Sequence, residues 1–300
     1  MFQKGVFYSL LIKGNLPSAI RYIKGFPDQQ SRYLKYKVLF EDGQLLHYDV
    51  DEDLQQILDI YQQYYRDVFY LLTAPETAAR TMLERFSSLF CLDHCCDLHE
   101  AAEKKIIEAF TAKGYHILCG RTGGYYGPYI WKTTECNVYA VELPDGTQPY
   151  PIHFLDGFLC KSWLDYLSFG EIGTGGWTNG DGIINCVKAS YDTESENFRV
   201  SLLKHEAQHA MDLSKFPCMS SEDLEYRAKL VELIYSAERD MLEQFRREAD
   251  TSRTENGHSM AASRIANEFS DISGIPAIQQ RALVLLQKSN TEMSQKYGNS

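Results

Sequence analysis

Residues 202–212, LLKHEAQHAMD, place two of the chain's eight histidines four positions apart, with a glutamate directly after the first. Residues four apart in an α-helix lie on one face, about 6 Å from each other along the axis. His205 and His209 can therefore direct both imidazoles to one point, where a metal ion would fit. Apolar residues such as Phe198 support the helix, and Pro217 ends it. The spacing predicts a metal-binding helix.

Glu206 is the candidate for a catalytic role. It lies one position round the helix from His205, so it cannot share that ligand's vertex, but it can flank the metal and reach a water bound to it. This is the position of a general base. The alternative is a surface helix that carries two histidines by chance, but His-Glu-x-x-His seldom arises by chance in 300 residues. The pattern favours a hydrolytic zinc site, in which two imidazoles and one carboxylate leave a fourth position for water.

A third ligand must come from outside this helix. A continuation as HExxHxxGxxH would need Gly and His at positions 212 and 215, where the chain has Asp212 and Lys215. That branch is excluded. Asp212 follows His205 by seven residues and His209 by three, so it lies on the metal-facing side. It could orient an imidazole or bond a second helix, and the alternative is a surface charge near the helix end.

The next predicted helix, SSEDLEYRAKLVELIY, supplies Glu222, Glu225 and Glu232. Ser221 is a good N-cap, and acids in the first turn suit the positive end of the helix dipole. Glu225 is the favoured third ligand, because Glu232 and the small Ala228 share its face, and a small residue lets two helices approach closely. Compensation of the helix dipole would explain Glu225 equally well.

At these residues the chain resembles the HExxH zinc metallopeptidases, or zincins. It is most similar to the gluzincin-like branch, whose third ligand is a glutamate on the next helix. The resemblance covers about residues 115–250. It implies that His205, His209 and Glu225 bind Zn²⁺, and that Glu206 takes a proton from the zinc-bound water and passes it to the leaving amine. The implied activity is hydrolysis of peptide bonds.

The resemblance also implies a small mixed β-sheet, whose edge strand holds an extended peptide beside the active-site helix. Residues 174–187, TGGWTNGDGIINCV, lie just upstream of that helix, as such an edge strand would. The Asn-Glu pair that usually opens the third-ligand motif is absent, since Leu224 precedes Glu225.

Hydrolysis of an amide also needs a donor that steadies the oxyanion, usually a Tyr, His or Arg side chain. His258, near a predicted helix start, and Tyr226, next to Glu225, are the candidates. A purely structural role is the alternative for each.

The hydrophobic pattern predicts a mainly helical α+β fold with a small sheet, and the resemblance implies that this sheet is mixed and packed on the HExxH helix. Apolar residues three and four apart indicate helices, and short runs between Gly, Pro and Asp indicate strands. We expect an N-terminal helical region over residues 1–112 and a zincin-like catalytic region over 113–300. The predicted helices cover 14–26, 49–72, 75–90, 98–114, 161–169, 197–214, 222–249, 259–272 and 276–289, and the predicted strands cover 115–120, 129–134, 136–143, 149–155 and 183–191.

Composition narrows the partners and the compartment. The net charge of −11, with acids and bases interleaved, argues against nucleic acid, which binds clustered Lys and Arg. No apolar stretch approaches the roughly 20 residues that cross a bilayer, and the N-terminus carries no cleavable export signal. We expect a soluble, cytoplasmic protein with reduced, mostly buried cysteines. The Cys- and His-rich residues 91–99 favour free cysteines at a helix junction over a second metal site.

Three functions remain open. The first is a zinc-dependent peptidase that acts on a peptide or protein substrate. The second is a zinc amidohydrolase that acts on an amide outside a peptide. The third is a metal-bearing regulatory or interaction protein with a non-catalytic HExxH site, whose N-terminal helical region binds a partner protein. Residues 170–182 are glycine-rich but lack the Gly-Lys-Ser/Thr of a phosphate loop, and there is no G-x-S-x-G sequence of a serine hydrolase.

Overall fold

The computed structural model describes residues 1–92, 97–178, 181–238, 240–250 and 257–298. Over these residues the protein has the predicted α+β fold, mainly helical with small sheets. It divides into two compact units. Unit 1 comprises Met1–Thr133 and Gly157–Thr174, and unit 2 comprises Thr134–Asp156 and Gly175–Ser300. Unit 1 continues beyond residue 112, where the sequence analysis ends the helical region.

The helices and strands follow one another along the chain with short connections. The α-helices are α1 Lys4–Ile12, α2 Leu16–Lys24, α3 Gln30–Tyr36, α4 Glu52–Tyr65, α5 Pro75–Phe90, α6 Leu98–Ala112, α7 Ser162–Ser168, α8 His205–Lys215, α9 Ser221–Tyr235, α10 Met241–Glu248, α11 Gly257–Glu268 and α12 Ile275–Tyr297. The strands are β1 His116–Leu118, β2 Arg121–Thr122, β3 Tyr125–Tyr126, β4 Tyr129–Trp131, β5 Thr133–Leu143, β6 Gly146–Asp156, β7 Cys160–Lys161, β8 Gly176–Thr178 and β9 Ile184–Val187.

Unit 1 packs its helices around a core rich in tyrosine and phenylalanine. Helix α4 buries the apolar face that its sequence predicts, and a π-helical turn, Arg66–Tyr70, extends it. Two glutamines on α4 are buried as well. The side chain of Gln62 accepts a hydrogen bond from the Leu46 N–H at 2.6 Å and donates to the Leu46 carbonyl at 2.9 Å. The buried amide is therefore paired with backbone, as buried polar groups usually are.

Unit 2 contains the mixed sheet, with strand order β5-β6-β9-β8. Strands β6 and β9 are parallel, whereas β8 and β9 are antiparallel, with Trp177 opposite Asn185. Helix α8 packs against β8 on one side and against α9 on another. The rings of Phe154 on β6 and Phe198, ahead of α8, stack 5.9 Å apart between the sheet and the helices. The sheet and α9 thus hold α8 between them.

The helical elements of unit 2 depart from the sequence prediction in two places. The predicted helix 197–214 begins as a π-helical segment, Asn197–Lys204, and becomes α-helical at His205. The predicted single helix 222–249 is wrong, because it is divided into α9 and α10.

The division between α9 and α10 has a cause far away in the sequence. The Glu196 carboxylate accepts hydrogen bonds from the Ser236 hydroxyl and from the N–H groups of Ala237 and Glu238. These donors therefore turn away from the helix axis. At the other end of α9 the N-cap is Ser220, one residue before the predicted Ser221, and its hydroxyl accepts from the Asp223 N–H at 3.3 Å.

The six cysteines among the described residues are unpaired. The expectation that the cysteines are mostly buried is wrong for these six, because Cys91, Cys136 and Cys218 are exposed and only Cys186 is fully buried. Cys136 lies on the outer half of β5, where the strand's side chains face solvent. Within the predicted cluster 91–99, residues 93–96 lie outside the described residues. Among the helices described, none combines the length and the apolar character needed to cross a membrane.

Candidate metal centre

The two histidines of the HExxH sequence lie on the buried side of α8. His205 and His209 are 9 % and 8 % exposed, and their ring centroids are 4.5 Å apart with the ring planes nearly perpendicular. The helix is held in place by its apolar neighbours, since Leu202, Leu203 and Ala207 are buried in the same core. Four-residue spacing on a fixed helix therefore brings both imidazoles to one place, as the sequence predicts.

Glu225 enters the same space from α9. One of its carboxylate oxygens, Oε2, lies 3.6 Å from His205 Nε2, and the other, Oε1, lies 3.7 Å from His209 Nε2. The three side chains each offer one ligand atom, and these atoms lie within 4.8 Å of one another. Ala228, one turn further along α9, is fully buried. A small residue at this position allows the close approach of α8 and α9.

Glu232 selects which nitrogen of His205 is available. Its carboxylate oxygen lies 2.7 Å from His205 Nδ1, so Nε2 is the nitrogen that faces Glu225. Such a carboxylate–imidazole contact fixes the ring orientation and tautomer of a metal-binding histidine. The sequence offered Glu232 as an alternative third ligand. Because Glu232 follows Glu225 by seven residues, two helical turns put both carboxylates on one face, but at opposite nitrogens of the ring.

The charged side chains of the cluster shift the pKa values of His205 and Glu225. Burial opposes protonation of His205, but the carboxylates of Glu232, Glu225 and Glu206 outweigh it and raise the pKa of the imidazole to about 9. Burial would likewise raise the pKa of Glu225. The nearby imidazole of His209, the hydrogen bond from His258 and the charge of His205 instead hold the pKa of Glu225 well below its usual value. The site thus stabilises an ionised carboxylate beside cationic groups.

His258 contacts the cluster through Glu225. Its Nδ1 lies 2.9 Å from Glu225 Oε2, and its Nε2 lies 3.0 Å from Glu248 Oε2 on α10. The ammonium group of Lys229 lies 2.9 Å from the same Glu248 oxygen and 3.1 Å from His258 Nε2. Both ring nitrogens of His258, predicted as a donor to the oxyanion, are therefore engaged with side chains of the protein.

Tyr226, the other predicted oxyanion donor, lies in the interface of α9 with α11. It is buried, and its hydroxyl donates a hydrogen bond to Glu268 at 2.6 Å, while the Arg264 guanidinium covers its ring at 3.6 Å. Neighbours in a helix point about 100° apart, so Tyr226 leaves α9 in a different direction from Glu225. The structure thus brings Tyr226 to Glu268 and Glu225 to the histidines.

Asp212 bonds the second helix, which was one of its predicted alternatives. The Arg227 guanidinium donates from Nε to Asp212 Oδ2 at 2.7 Å and from Nη2 to Oδ1 at 2.9 Å. Both side chains are almost completely buried. The Gln208 amide adds a third hydrogen bond to Asp212 at 2.9 Å. This two-pronged ion pair fixes α8 against α9 and thereby fixes the distance from the histidines to Glu225.

Glu206 follows His205 on α8, and Tyr191 is close enough to Glu206 and Glu232 for their charges to act on it. Glu206 is partly exposed, as a group that meets solvent and substrate must be. Burial first, and then the charges of Cys186, Glu206 and Glu232, raise the pKa of the Tyr191 hydroxyl to about 12. The sequence analysis did not single out Tyr191. Its only local signal was its position at the end of the predicted strand 183–191; in the structure β9 ends at Val187 and a 3-10 turn, Lys188–Ser190, precedes Tyr191.

Glycines bring β8 close to this side of the site. A Cβ atom at Gly175 would stand 2.5 Å from the Tyr191 hydroxyl oxygen, and one at Gly176 would stand 2.3 Å from Leu202 Cδ1. Both distances are shorter than any Cβ contact, so side chains at these positions would push the strand outward. The glycine-rich residues 170–182 thus contain the strand next to α8, β8.

Comparisons with known proteins add no relative. No family model matches the chain, and neither a curated protein nor a solved structure matches it.

Proposed function

We propose that this protein is a zinc-dependent peptidase of the gluzincin-like kind, with His205, His209 and Glu225 as ligands. The observation that carries the proposal is the convergence of two imidazole Nε2 atoms and one carboxylate within 4.8 Å. This donor set fits Zn²⁺, which takes two histidines and a glutamate in hydrolytic sites. The bond from Glu232 to His205 Nδ1 supports the fit, because it leaves Nε2 for the metal.

The side chains around the site suit amide hydrolysis. When bound, Zn²⁺ supplies a lowered pKa for a coordinated water and polarisation of the scissile carbonyl. Glu206 would accept the proton of the attacking water and return it to the leaving amine. The substrate would lie extended beside β8, along α8. The unpaired cysteines suit a reducing compartment, and we propose a cytoplasmic location.

Tyr191 is our candidate for the donor to the oxyanion, in place of His258 and Tyr226. A tyrosine hydroxyl is protonated near neutral pH and can donate a hydrogen bond, and that of Tyr191 lies against Gly175, next to β8, where the substrate is proposed to bind. Removing one such donor typically lowers kcat by about 10²–10³-fold. We expect Tyr191→Phe to lower kcat while KM and zinc content stay close to those of the wild type.

The test of the peptidase proposal combines metal analysis with turnover. The purified protein should carry one equivalent of zinc and cleave members of a peptide library, and His205→Ala should lose both. Glu206→Gln should keep the zinc and lose turnover by about 10²–10⁴-fold, because only the base is removed. Glu222→Gln, in the first turn of α9, is the matched control and should behave as the wild type.

The outcomes separate the three functions that the sequence leaves open. Cleavage of small amides without cleavage of peptides would support the amidohydrolase. Zinc binding with no Glu206-dependent hydrolysis of any amide would support the regulatory protein. Absence of bound zinc at neutral pH in the wild type would overturn the metal site itself.

A further inference from the structure

We infer that His258 is a positioning residue, which holds the Glu225 carboxylate in its metal-binding orientation through a chain of contacts with Glu248 and Lys229. The inference rests on the proposed metal centre. It adds three residues that support Glu225: Lys229 on α9, Glu248 on α10 and His258 on α11. His258 itself touches neither His205 nor His209 by any contact found among the described residues.

The chain of contacts joins three helices. It runs from Glu225 on α9 to His258 on α11, on to Glu248 on α10, and back to Lys229 on α9, with the four N···O and N···N distances between 2.9 and 3.1 Å. Glu225 and Lys229 are four residues apart, so both ends of the chain start from one face of α9. The result is a closed loop of side chains that begins and ends on the helix carrying the third ligand.

Lys229 is the anchor of this loop. It is 1 % exposed, and a buried ammonium group is strongly unfavourable unless it is paired. Its charge is paired with Glu248 at 2.9 Å, and it lies 4.1 Å from the centroid of the Phe245 ring. These contacts fix the Glu248 carboxylate. The Glu248 oxygen in turn meets His258 Nε2, so the imidazole cannot rotate freely about its side-chain bonds.

The partner of His258 Nδ1 determines whether this nitrogen carries a proton. An ionised carboxylate only accepts hydrogen bonds, so His258 Nδ1 must donate to Glu225 Oε2. This donation uses one oxygen and restricts rotation of the carboxylate, whose two oxygens already face the two histidines. A glutamate side chain loses conformational entropy when it is fixed. Because His258 fixes the carboxylate when the protein folds, this entropy is already lost before a metal binds.

The exposure of His258 also favours positioning over packing. Its side chain is 47 % exposed, so it contributes little to the core of unit 2. Partners of metal ligands typically affect metal affinity by about 10–100-fold. Truncation of His258 should therefore weaken metal binding by that factor, while the metal-free protein keeps a cooperative thermal unfolding transition.

Two near-isosteric variants separate the two halves of the His258 contact. An asparagine amide nitrogen can occupy the place of Nδ1, whereas a glutamine amide reaches the place of Nε2. We expect His258→Asn to keep the zinc affinity within about threefold of the wild type, whereas His258→Gln and His258→Ala should both lose about 10–100-fold. His47→Ala, an exposed histidine of unit 1, is the control for loss of a histidine.

The measurements do not depend on turnover. Zinc affinity is measured by competition with a chromogenic chelator, and the geometry of the site by the visible absorption of the Co²⁺-substituted protein. We expect the Co²⁺ spectrum of His258→Ala to differ from that of the wild type, and the spectrum of His258→Asn to resemble it. Thermal unfolding of each metal-free variant reports the fold.

Each outcome has one meaning. If the wild type binds zinc and the three variants at residue 258 bind it equally well, the positioning role is overturned and the metal centre stands. If all three lose affinity together with a large drop in unfolding temperature, His258 is structural and the inference fails as well. If the wild type binds neither Zn²⁺ nor Co²⁺, the proposed function fails first.

Discussion

The two units bury polar side chains of different kinds. Among the described residues, unit 1 buries neutral groups only, the amides of Gln55 and Gln62 and a few serine hydroxyls, within a tyrosine-rich core. Unit 2 buries charged and titratable groups: His205, His209, Asp212, Asp223, Arg227, Lys229 and Glu232. Neutral amides are satisfied by backbone partners, whereas buried charges must be paired with one another.

The kind of polar group that each unit buries bears on the stability of that unit. Buried ion pairs are weak evidence for stability, because desolvation of the charges offsets their attraction. Unit 1 therefore has the composition of a stable packed body. Unit 2 carries a set of charges that stability alone does not require, and these charges surround the histidine pair. The buried charges and the His-His-Glu cluster are thus both in unit 2, where we propose the metal site.

The largest expected effect is the loss of one partner of the buried ion pair in unit 2. Arg227→Leu leaves the Asp212 carboxylate buried without its cation, and we expect the free energy of unfolding to fall by about 3–5 kcal/mol. Urea denaturation measures this loss. The double variant Asp212→Asn/Arg227→Leu should regain most of it, and Arg80→Leu, at an exposed arginine of unit 1, should lose almost nothing. Equal losses in the single and double variants would contradict the account.

The next largest expected difference between the two units is in their stability in acid. In unit 2 burial opposes ionisation of Glu248, but hydrogen bonds from His258 and Lys229 lower its pKa to about 2, from a usual value of 4.5. A lowered pKa contributes stability above pH 4.5 that is lost as the pH falls towards 2. In unit 1 burial raises the pKa of Asp165, and Lys161 offsets this only in part, so protonation of this carboxyl does not remove stability.

We therefore expect unit 2 to open first between pH 4.5 and pH 2. Pepsin is active in this range, and its cleavage sites can be mapped by mass spectrometry at each pH. Early cleavage should fall in α9 and α10, with α4 cleaved later. Glu248→Gln should show a weaker dependence on pH than the wild type. Simultaneous cleavage of both units would show that the difference in buried charge does not control acid stability.

Zinc should stabilise unit 2 relative to unit 1, and this effect is expected to be somewhat smaller. A ligand at a hundred times its Kd stabilises the folded state by about 2.7 kcal/mol. Because the proposed ligands are all in unit 2, the gain should appear as slower hydrogen exchange in α8 and α9 and leave α4 unchanged. Exchange measured peptide by peptide, with and without Zn²⁺, checks this, and His209→Ala should remove the effect. Equal protection of α4 would contradict a site confined to unit 2.

The smallest expected effect concerns a neutral contact in unit 1. The buried Tyr36 hydroxyl donates to the Leu167 carbonyl at 2.6 Å. Tyr36→Phe leaves that carbonyl without this donor and should lower the free energy of unfolding by about 1–3 kcal/mol, less than the loss in Arg227→Leu. Urea denaturation measures it, and Tyr22→Phe, at a partly exposed tyrosine, is the control. A loss equal to that of Arg227→Leu would remove the distinction between neutral and charged buried groups.

The sequence predicts those parts of the site that depend on spacing within one helix. The four-residue step from His205 to His209 and the face shared by Glu225, Ala228 and Glu232 are local, and helical geometry alone relates them. Most helices and the longer strands were predictable for the same reason, since hydrophobic periodicity is a local signal, whereas the mixed sheet was an expectation from the resemblance.

The remaining features depend on contacts between residues that are distant in the chain. The division of residues 222–249 into two helices follows from Glu196, and the role of His258 follows from Glu225, 33 residues away. Which nitrogen Glu232 would meet depends on how α8 and α9 pack. No local pattern contains these distances, so the sequence could name His258 as a candidate but not the atom that it touches.

The path of the chain between the units limits how the protein can be divided for expression. Unit 1 is completed by Gly157–Thr174, where Tyr166 donates a hydrogen bond to Gln62 and the Leu167 carbonyl accepts one from Tyr36. A fragment that stops at residue 133 lacks these partners. On the ribosome, the first 133 residues must therefore wait until residue 174 has left the exit tunnel before their core can close.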